Sequence, residues 1–206
     1  GRVFLVSDAN VVEQHGPPIA RTFEAAGIAG ASYVIPAGER SKALRVAQEL
    51  YGWLATEHAE RGDVIVALGG GVVGDLAGYV AATYLRGMPV IQVPTSILAM
   101  NDAAIGGKVA VDLPAGKNLV GAFHQPRAVI SDVEVLATLP RRSYIEGFAE
   151  VIKHAFILDG DLLDLLERNA RTLASMAADP QLLTTIIARS SRLKALVVSA
   201  DPQERR

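Results

Sequence analysis

The 206 residues include no cysteine. That absence excludes a disulfide scaffold, a thiolate zinc site and a cysteine nucleophile, and it agrees with a reducing cytoplasm. Neither charge dominates: 20 Lys and Arg stand against 22 Asp and Glu, a formal net charge of −2. A nucleic-acid binder carries a basic excess or stripe, so this balance points away from nucleic acid. Runs long enough to span a bilayer are missing too, because Gly and polar residues interrupt each apolar stretch, and the first residues lack a secretory signal pattern. What remains is half hydrophobic and a fifth charged. A cytoplasmic globular protein with a sizeable core is expected, bound to no membrane.

The first two-thirds alternates short β-rich runs with helical periodicity. Val3 to Val6, Ser32 to Ile35, Val64 to Leu68 and Pro89 to Val93 read as strands. Pro18 to Ala26, Ser41 to His58 and a stretch ending near Tyr84 read as helices. Alternation of this kind predicts an α/β domain, a parallel sheet with helices on both faces. After Pro140 only the 3.6-residue period remains, clearest over Leu162 to Ala177 and Gln181 to Val198. The expected division is therefore an α/β nucleotide-binding domain over 1–139 and the start of an all-α domain over 140–206, the second incomplete.

Between an apolar strand and a helix lies Leu68-Gly69-Gly70-Gly71-Val72-Val73-Gly74-Asp75. Glycines at such a turn let backbone N–H groups approach an anion, and the helix N-terminus adds a favourable dipole. A pyrophosphate is the natural occupant, against the plainer reading of a turn packed with glycine. Gly69, Gly71 and Gly74 fit G-x-G-x-x-G, but the next strand ends in Gln92-Val93-Pro94-Thr95-Ser96 without the usual ribose-binding acid. The nearest acid of that kind is Asp8. Asp75 reads equally as a surface acid balancing the helix dipole. Pro36 to Lys42 reads as a loop in which Ser41 caps the following helix. Gly106-Gly107-Lys108 and Gly116-Lys117-Asn118 read as glycine-flanked loops whose lysines could reach a phosphate or simply be solvated.

Taken together, PAGERSK at 36–42, ALGGGVVGDLAGYVAATYLR at 67–86, Pro94 to Lys108, GKNLVGAFHQP at 116–126, LATLP at 136–140 and GFAEVIK at 147–153 resemble the 3-dehydroquinate synthases. The resemblance implies an NAD-binding α/β domain, a helical domain holding zinc (or Co2+), and a sugar-phosphate substrate between them. It implies conversion of 3-deoxy-D-arabino-heptulosonate 7-phosphate to 3-dehydroquinate and phosphate, a step of aromatic amino acid biosynthesis, and a homodimer joined through the α/β domain. By the same resemblance Asp8, Glu39 and Lys42 meet the adenosine end of NAD. Gly70, Gly71, Val72, Val73, Gly74 and Asp75 cradle its pyrophosphate, and Thr95, Ser96, Thr138 and Leu139 line the nucleotide. Arg86, Asp102, Lys108, Lys117, Asn118, Lys153 and Lys194 meet the substrate or nicotinamide side, Lys108 and Lys117 also serving the cofactor. Glu150 is the implied zinc ligand.

Two positions depart from the family. Val109 follows Gly-Gly-Lys where Thr is common, and Asn101 precedes Asp102 where an apolar residue or Gln is usual; both are expected on the substrate side. The resemblance implies two zinc histidines beyond Arg206, and a start one strand or hairpin later than the family's. His154, one turn after Glu150, is expected to be a packing or surface residue, His124 structural or near substrate, and His15 and His58 surface residues. Val109 keeps open another sugar-phosphate cyclase, a 2-deoxy-scyllo-inosose or 2-epi-5-epi-valiolone synthase. Glycerol dehydrogenases and iron-type alcohol dehydrogenases share the architecture, but GKNLVGAFHQP and AEVIK argue against them. A different class of reading is that this exact chain binds NAD without catalysis.

Overall fold

The computed structural model describes residues 1–203. Five strands form one parallel sheet: β1 (Val3–Asp8), β2 (Gly30–Ile35), β3 (Val64–Gly69), β4 (Val90–Pro94) and the short β7 (Ala128–Val129), in the order β2-β1-β3-β4-β7. Alternate side chains of a strand point to opposite faces, and the apolar runs use both. Phe4 and Val6 of β1, with Ile65 and Ala67 of β3, face a core shared with α2 (Leu44–Thr56) and α3 (Gly71–Thr83). Leu5, Val66 and Leu68 face the other way, against Val11, Ile19 and Phe23 of α1 (Ala9–Ala25). Burial on both sides explains why these strands read as continuous hydrophobic runs.

A two-stranded antiparallel hairpin, β5 (Lys108–Leu113) and β6 (Gly116–Phe123), packs on α3. Gly78 makes that contact possible, because a Cβ there would overlap the Val109 side chain. From Arg141 onward the described elements are helices: α4 (Arg141–Leu158), α5 (Gly160–Arg168), α6 (Ala170–Ala174) and α7 (Pro180–Ala200). Their core takes in Ile97, Met100 and Leu136 from earlier in the chain. Met100 lies within, and Ile97 just before, a π-helical turn, Ala99–Ala103, a geometry found often at functional sites. No described helix is long and apolar enough to cross a membrane.

Several expected boundaries move, each for a local reason. The first helix starts at Ala9, not near Pro18, because the Asp8 carboxylate accepts the N–H groups of Asn10 and Val11 at 2.9 and 3.1 Å. Pro17 and Pro18 lie inside it. The second helix starts at Leu44, after a 3-10 turn over Glu39–Ser41, and Ser41 does not cap it. The Ser41 hydroxyl instead donates to the carbonyl of Pro36 at 2.5 Å. The helix expected over Leu162 to Ala177 breaks at Asn169, whose side chain donates to the Leu165 carbonyl, and stops before Met176 at φ 60°. The stretches around Lys108 and Lys117, expected as loops, begin the two strands of the hairpin.

Candidate functional site

β1 runs to β2 on one side and, through β3, to β4 on the other. Where strand order reverses in this way, a crevice opens outside the carboxyl ends of the two central strands. Those ends carry Asp8 and the Gly69-Gly70-Gly71 turn. A cleft of about 490 Å3 sits there, walled by Asp8, Gly70, Thr95, Ser96, Thr138 and Leu139. All six were expected at the nucleotide. Gln14 and His15 of α1 and Gly147 of α4 add walls that sequence reasoning did not assign. His15, expected at the surface, is half-buried in that wall, and its Nε2 lies 2.9 Å from the Thr138 hydroxyl. A histidine paired with a threonine 123 positions away leaves no signal in a single sequence.

The turn suits an anion. The first backbone N–H of α3 bonded within the helix is that of Gly74, to the Gly70 carbonyl at 3.1 Å. Gly70 supplies no side-chain cap, so the N–H groups of Gly71, Val72 and Val73 at the positive end of the helix dipole are available to a ligand. A Cβ at Gly70 would stand 3.6 Å from the Ser96 hydroxyl, and both residues wall the cleft, so a side chain there would project into the space beside the turn. The residues present fit a dinucleotide pyrophosphate.

Asp75 departs from the reading of it as a surface acid. It begins the second turn of α3, and its largely buried carboxylate meets the buried Lys42 ammonium at 2.5 Å. Burial pushes the Asp75 carboxyl above its ordinary range, and Lys42 pulls it part of the way back. The same ammonium donates to Asn118 Oδ1. Neither Lys42 nor Asp75 lines the nucleotide cleft. Glu39 is likewise turned outward, paired with Lys117 at 2.8 Å.

A second cleft, of about 520 Å3, opens beside α3 and is walled by Asp75, Asp102, Lys108, Val109 and Asn118. Asp102 of the π turn meets Lys194 of α7 at 2.6 Å, so a carboxylate and an ammonium are joined between the π turn and the last described helix. Val109 is 4% exposed and wedged against Gly78, which makes this departure from the family a change in a packed wall. Asn101 is wholly buried, donates to the Ile97 carbonyl at 2.9 Å, leaves its own Oδ1 unpartnered and lines neither cleft. Arg86 is exposed and lines neither cleft, in a turn where Leu85 and Arg86 take φ of 51° and 66°. Consecutive left-handed residues without glycine cost roughly 1–2 kcal/mol each.

Glu150 lies on α4 with one oxygen buried and accepting no hydrogen bond of good geometry. Lys153 is in ion-pair contact with that oxygen, and His154 Nε2 stands 3.9 Å from it. Burial, then the neighbouring Lys153 charge, hold the His154 imidazole below its ordinary value, and its Nδ1 pairs with the buried Ser190 hydroxyl at 2.9 Å. His154 is therefore a packing residue. His124 is a structural one, its Nε2 2.8 Å from the Met88 carbonyl. An under-bonded carboxylate fits one position around a divalent cation. A protein site usually needs three or more such donors, and among the described residues no group of three or more His, Cys, Asp or Glu side chains is arranged to hold one.

A parallel sheet with a glycine turn at its switch point, a second cleft beside α3 and a helical half packed after it defines a class of nucleotide-binding enzyme folds, and solved structures share it. The 2-epi-5-epi-valiolone synthase of Streptomyces hygroscopicus, solved with NAD+ and Zn2+ bound, matches all of this chain and 57% of its own with a TM-score of 0.94 and 29% identity. A 2-deoxy-scyllo-inosose synthase complexed with carbaglucose-6-phosphate, NAD+ and Co2+ matches at 0.88 and 31%, again over the whole chain and 56% of its own. Residues 32–146 match the 3-dehydroquinate synthase N-terminal family and residues 147–206 the 3-dehydroquinate synthase C-terminal family. The chain belongs to the 3-dehydroquinate synthase family. It is 52% identical over 204 residues to the 3-dehydroquinate synthase of Symbiobacterium thermophilum, covering 99% of this chain and 56% of the relative. The chain thus spans little more than half the length of the curated relatives it matches.

Proposed function

We propose that the protein carrying this chain is a 3-dehydroquinate synthase, converting 3-deoxy-D-arabino-heptulosonate 7-phosphate to 3-dehydroquinate and phosphate with catalytic NAD and a divalent metal, Zn2+ or Co2+. The observation that carries the reading is the pairing of clefts at one helix tip. An anion-ready glycine turn faces one side, and Asp102, Lys108 and Asn118 face the other.

In this reading the α3 N-terminus holds the pyrophosphate, while Asp8 stands at the end of β1, where a ribose-binding acid is useful. Lys108 and Lys194 supply positive charge for a phosphate and a carboxylate, Asn118 supplies hydrogen bonds, and Asp102 holds the Lys194 ammonium in place. Bound NAD would accept and return a hydride while the metal, with Glu150 as one ligand, acidified a substrate hydroxyl. Lys153, Lys117 and Arg86 enter as carry-over from the family. Residues 1–139 form the cofactor half and 140–206 begin the helical half, in a homodimer whose mass light scattering would test.

The assay is phosphate release from 3-deoxy-D-arabino-heptulosonate 7-phosphate by the full-length protein with NAD and Zn2+. The expected result is 3-dehydroquinate without net NADH, and Glu150→Ala is expected to abolish turnover while NAD still binds. A protein that binds NAD and metal yet leaves this substrate untouched would overturn the assignment. Sedoheptulose 7-phosphate and glucose 6-phosphate would then be the substrates to try, since the 0.94 TM-score to a 2-epi-5-epi-valiolone synthase supports another cyclase as the second reading. Binding of NAD with no turnover on any of the three would leave only the binding role.

A further inference from the structure

We propose that Gln92 is a positioning residue for the cofactor: from the middle of β4 its buried amide grips the Gly74 carbonyl and so fixes the first turn of α3, the turn that offers N–H groups to a pyrophosphate. Gln92 is registered between Ala67 of β3 and Val129 of β7. Alternation along the strand puts its side chain on the face of Val90, inside the apolar core shared with α2 and α3. It is 5% exposed and lines neither cleft.

An amide in such a place must find a partner, whereas a leucine or methionine would fill the space without that demand. The Gln92 Nε2 donates to the Gly74 carbonyl at 3.1 Å. Inside a helix that carbonyl already takes the N–H four residues on, so the bond from Gln92 is an additional one, and what it adds is direction. The helix is cut away to admit the amide. A Cβ at Gly74 would stand 2.8 Å from Gln92 Oε1, and one at Gly78, a turn later on the same face, would stand 3.5 Å from Nε2. Gly74 and Gly78 thus form a notch that the amide fills, which accounts for Gly74 apart from any contact with a ligand.

The grip lies next to the anion site. The Gly74 N–H closes the first helical bond, to the Gly70 carbonyl at 3.1 Å, and leaves those of Gly71, Val72 and Val73 for a ligand. The residue after β4 holds the strand side of the same turn, since the Thr95 N–H donates to the Gly69 carbonyl at 3.0 Å. Gln92 and Thr95 therefore bracket the glycine turn at both of its ends. Three N–H groups serve one anion only while they converge. Helix ends fray, and a first turn left free to do so has to be ordered by the ligand on binding. Gln92 acts through that turn, and the cofactor meets the N–H groups and not the glutamine.

The proposal rests on reading the switch-point cleft as the nucleotide site, and calorimetry on the full-length protein tests it. Gln92→Met keeps the volume and removes the donor. It is expected to raise the Kd for NAD about tenfold, the scale of one hydrogen bond, and the Kd for ADP by a similar factor. Adenosine, which brings no phosphate, is expected to change by less than about twofold when measured by competition with NAD. Gly74→Ala, whose methyl displaces the amide, is expected to weaken NAD in the wild type and to cost much less in a Gln92→Ala background that leaves room for the methyl. An unchanged Kd for NAD, equal weakening of adenosine, or additive effects at 74 and 92 would overturn the proposal.

A second arm needs no ligand. Amide exchange at Gly74 and Asp75 is expected to quicken in Gln92→Met relative to the rest of α3, and unchanged exchange overturns the grip. If Gln92→Met does not fold, Gly74→Ala must show the same quickening and the same contrast between NAD and adenosine. If the wild type binds neither NAD nor ADP, the nucleotide reading fails while the exchange result still decides the grip.

Discussion

The Asp159 carboxylate accepts the N–H of Leu162 at 3.0 Å, capping α5, and takes the Arg189 guanidinium of α7 at 2.6 and 3.1 Å. Burial works to raise its pKa, but the Leu162 N–H and then the Arg189 guanidinium outweigh it and hold the carboxyl below its ordinary value. A carboxyl whose folded pKa is depressed contributes stability that is present above the unfolded value and lost as pH falls through the folded one. Asp159→Asn keeps an oxygen for the cap and removes the charge. It is expected to lower stability by about 1 kcal/mol at neutral pH. The gap from the wild type should close as the solution is acidified below the ordinary carboxylate range. Thermal unfolding across pH measures this, and a gap constant with pH would show that the charge is not its source.

Among the elements, two helical glycines make opposite demands. Gly52 sits inside α2, where a Cβ would find nothing within 4 Å, so Gly52→Ala is expected to stabilise by about 0.5–1 kcal/mol. Gly78 sits inside α3, where the same methyl would overlap Val109 of β5, and Gly78→Ala is expected to cost about 1–3 kcal/mol by lifting the hairpin. Chemical denaturation of the pair separates the cases. The sequence does not distinguish them, because what differs is the hairpin packed above one and not the other. The same reason divides what was legible. β1, β3 and β4 announced themselves because burial on both faces makes their runs apolar. The cleft at the switch point was legible because Gly70 and Asp8 fall at strand ends. The β5–β6 hairpin was not, since Gly and Lys at its strand starts look like loop residues until α3 covers one face. The Lys42–Asp75 pair was missed for a similar reason: an acid early in a helix reads as a dipole partner until a lysine 33 positions away is folded against it.

Across the whole molecule, the two halves meet where α4 crosses the segment before the π turn. Gly147 permits the crossing, since a Cβ there would stand 2.6 Å from Ile97 Cβ and 3.0 Å from the backbone nitrogen of Leu98. Gly147 also lines the nucleotide cleft together with Leu98 and Leu139. Gly147→Ala is expected to push α4 outward and weaken NAD binding about tenfold, with a smaller effect on the unfolding of the sheet core. Calorimetric titration checks it, and an unchanged affinity would detach the cleft from the position of α4. The strand order has a consequence before the molecule is complete. β1 lies between β2 and β3, and its pairing with β3 joins residues such as Ser7 and Leu68 that are 61 positions apart. During synthesis at roughly 5–20 residues per second, about 3 to 12 s separate the emergence of those partners from the ribosome. For that interval the Phe4-Leu5-Val6 run waits with one edge unpaired, and a nascent chain stalled before residue 64 is a natural client for a chaperone that binds extended apolar segments.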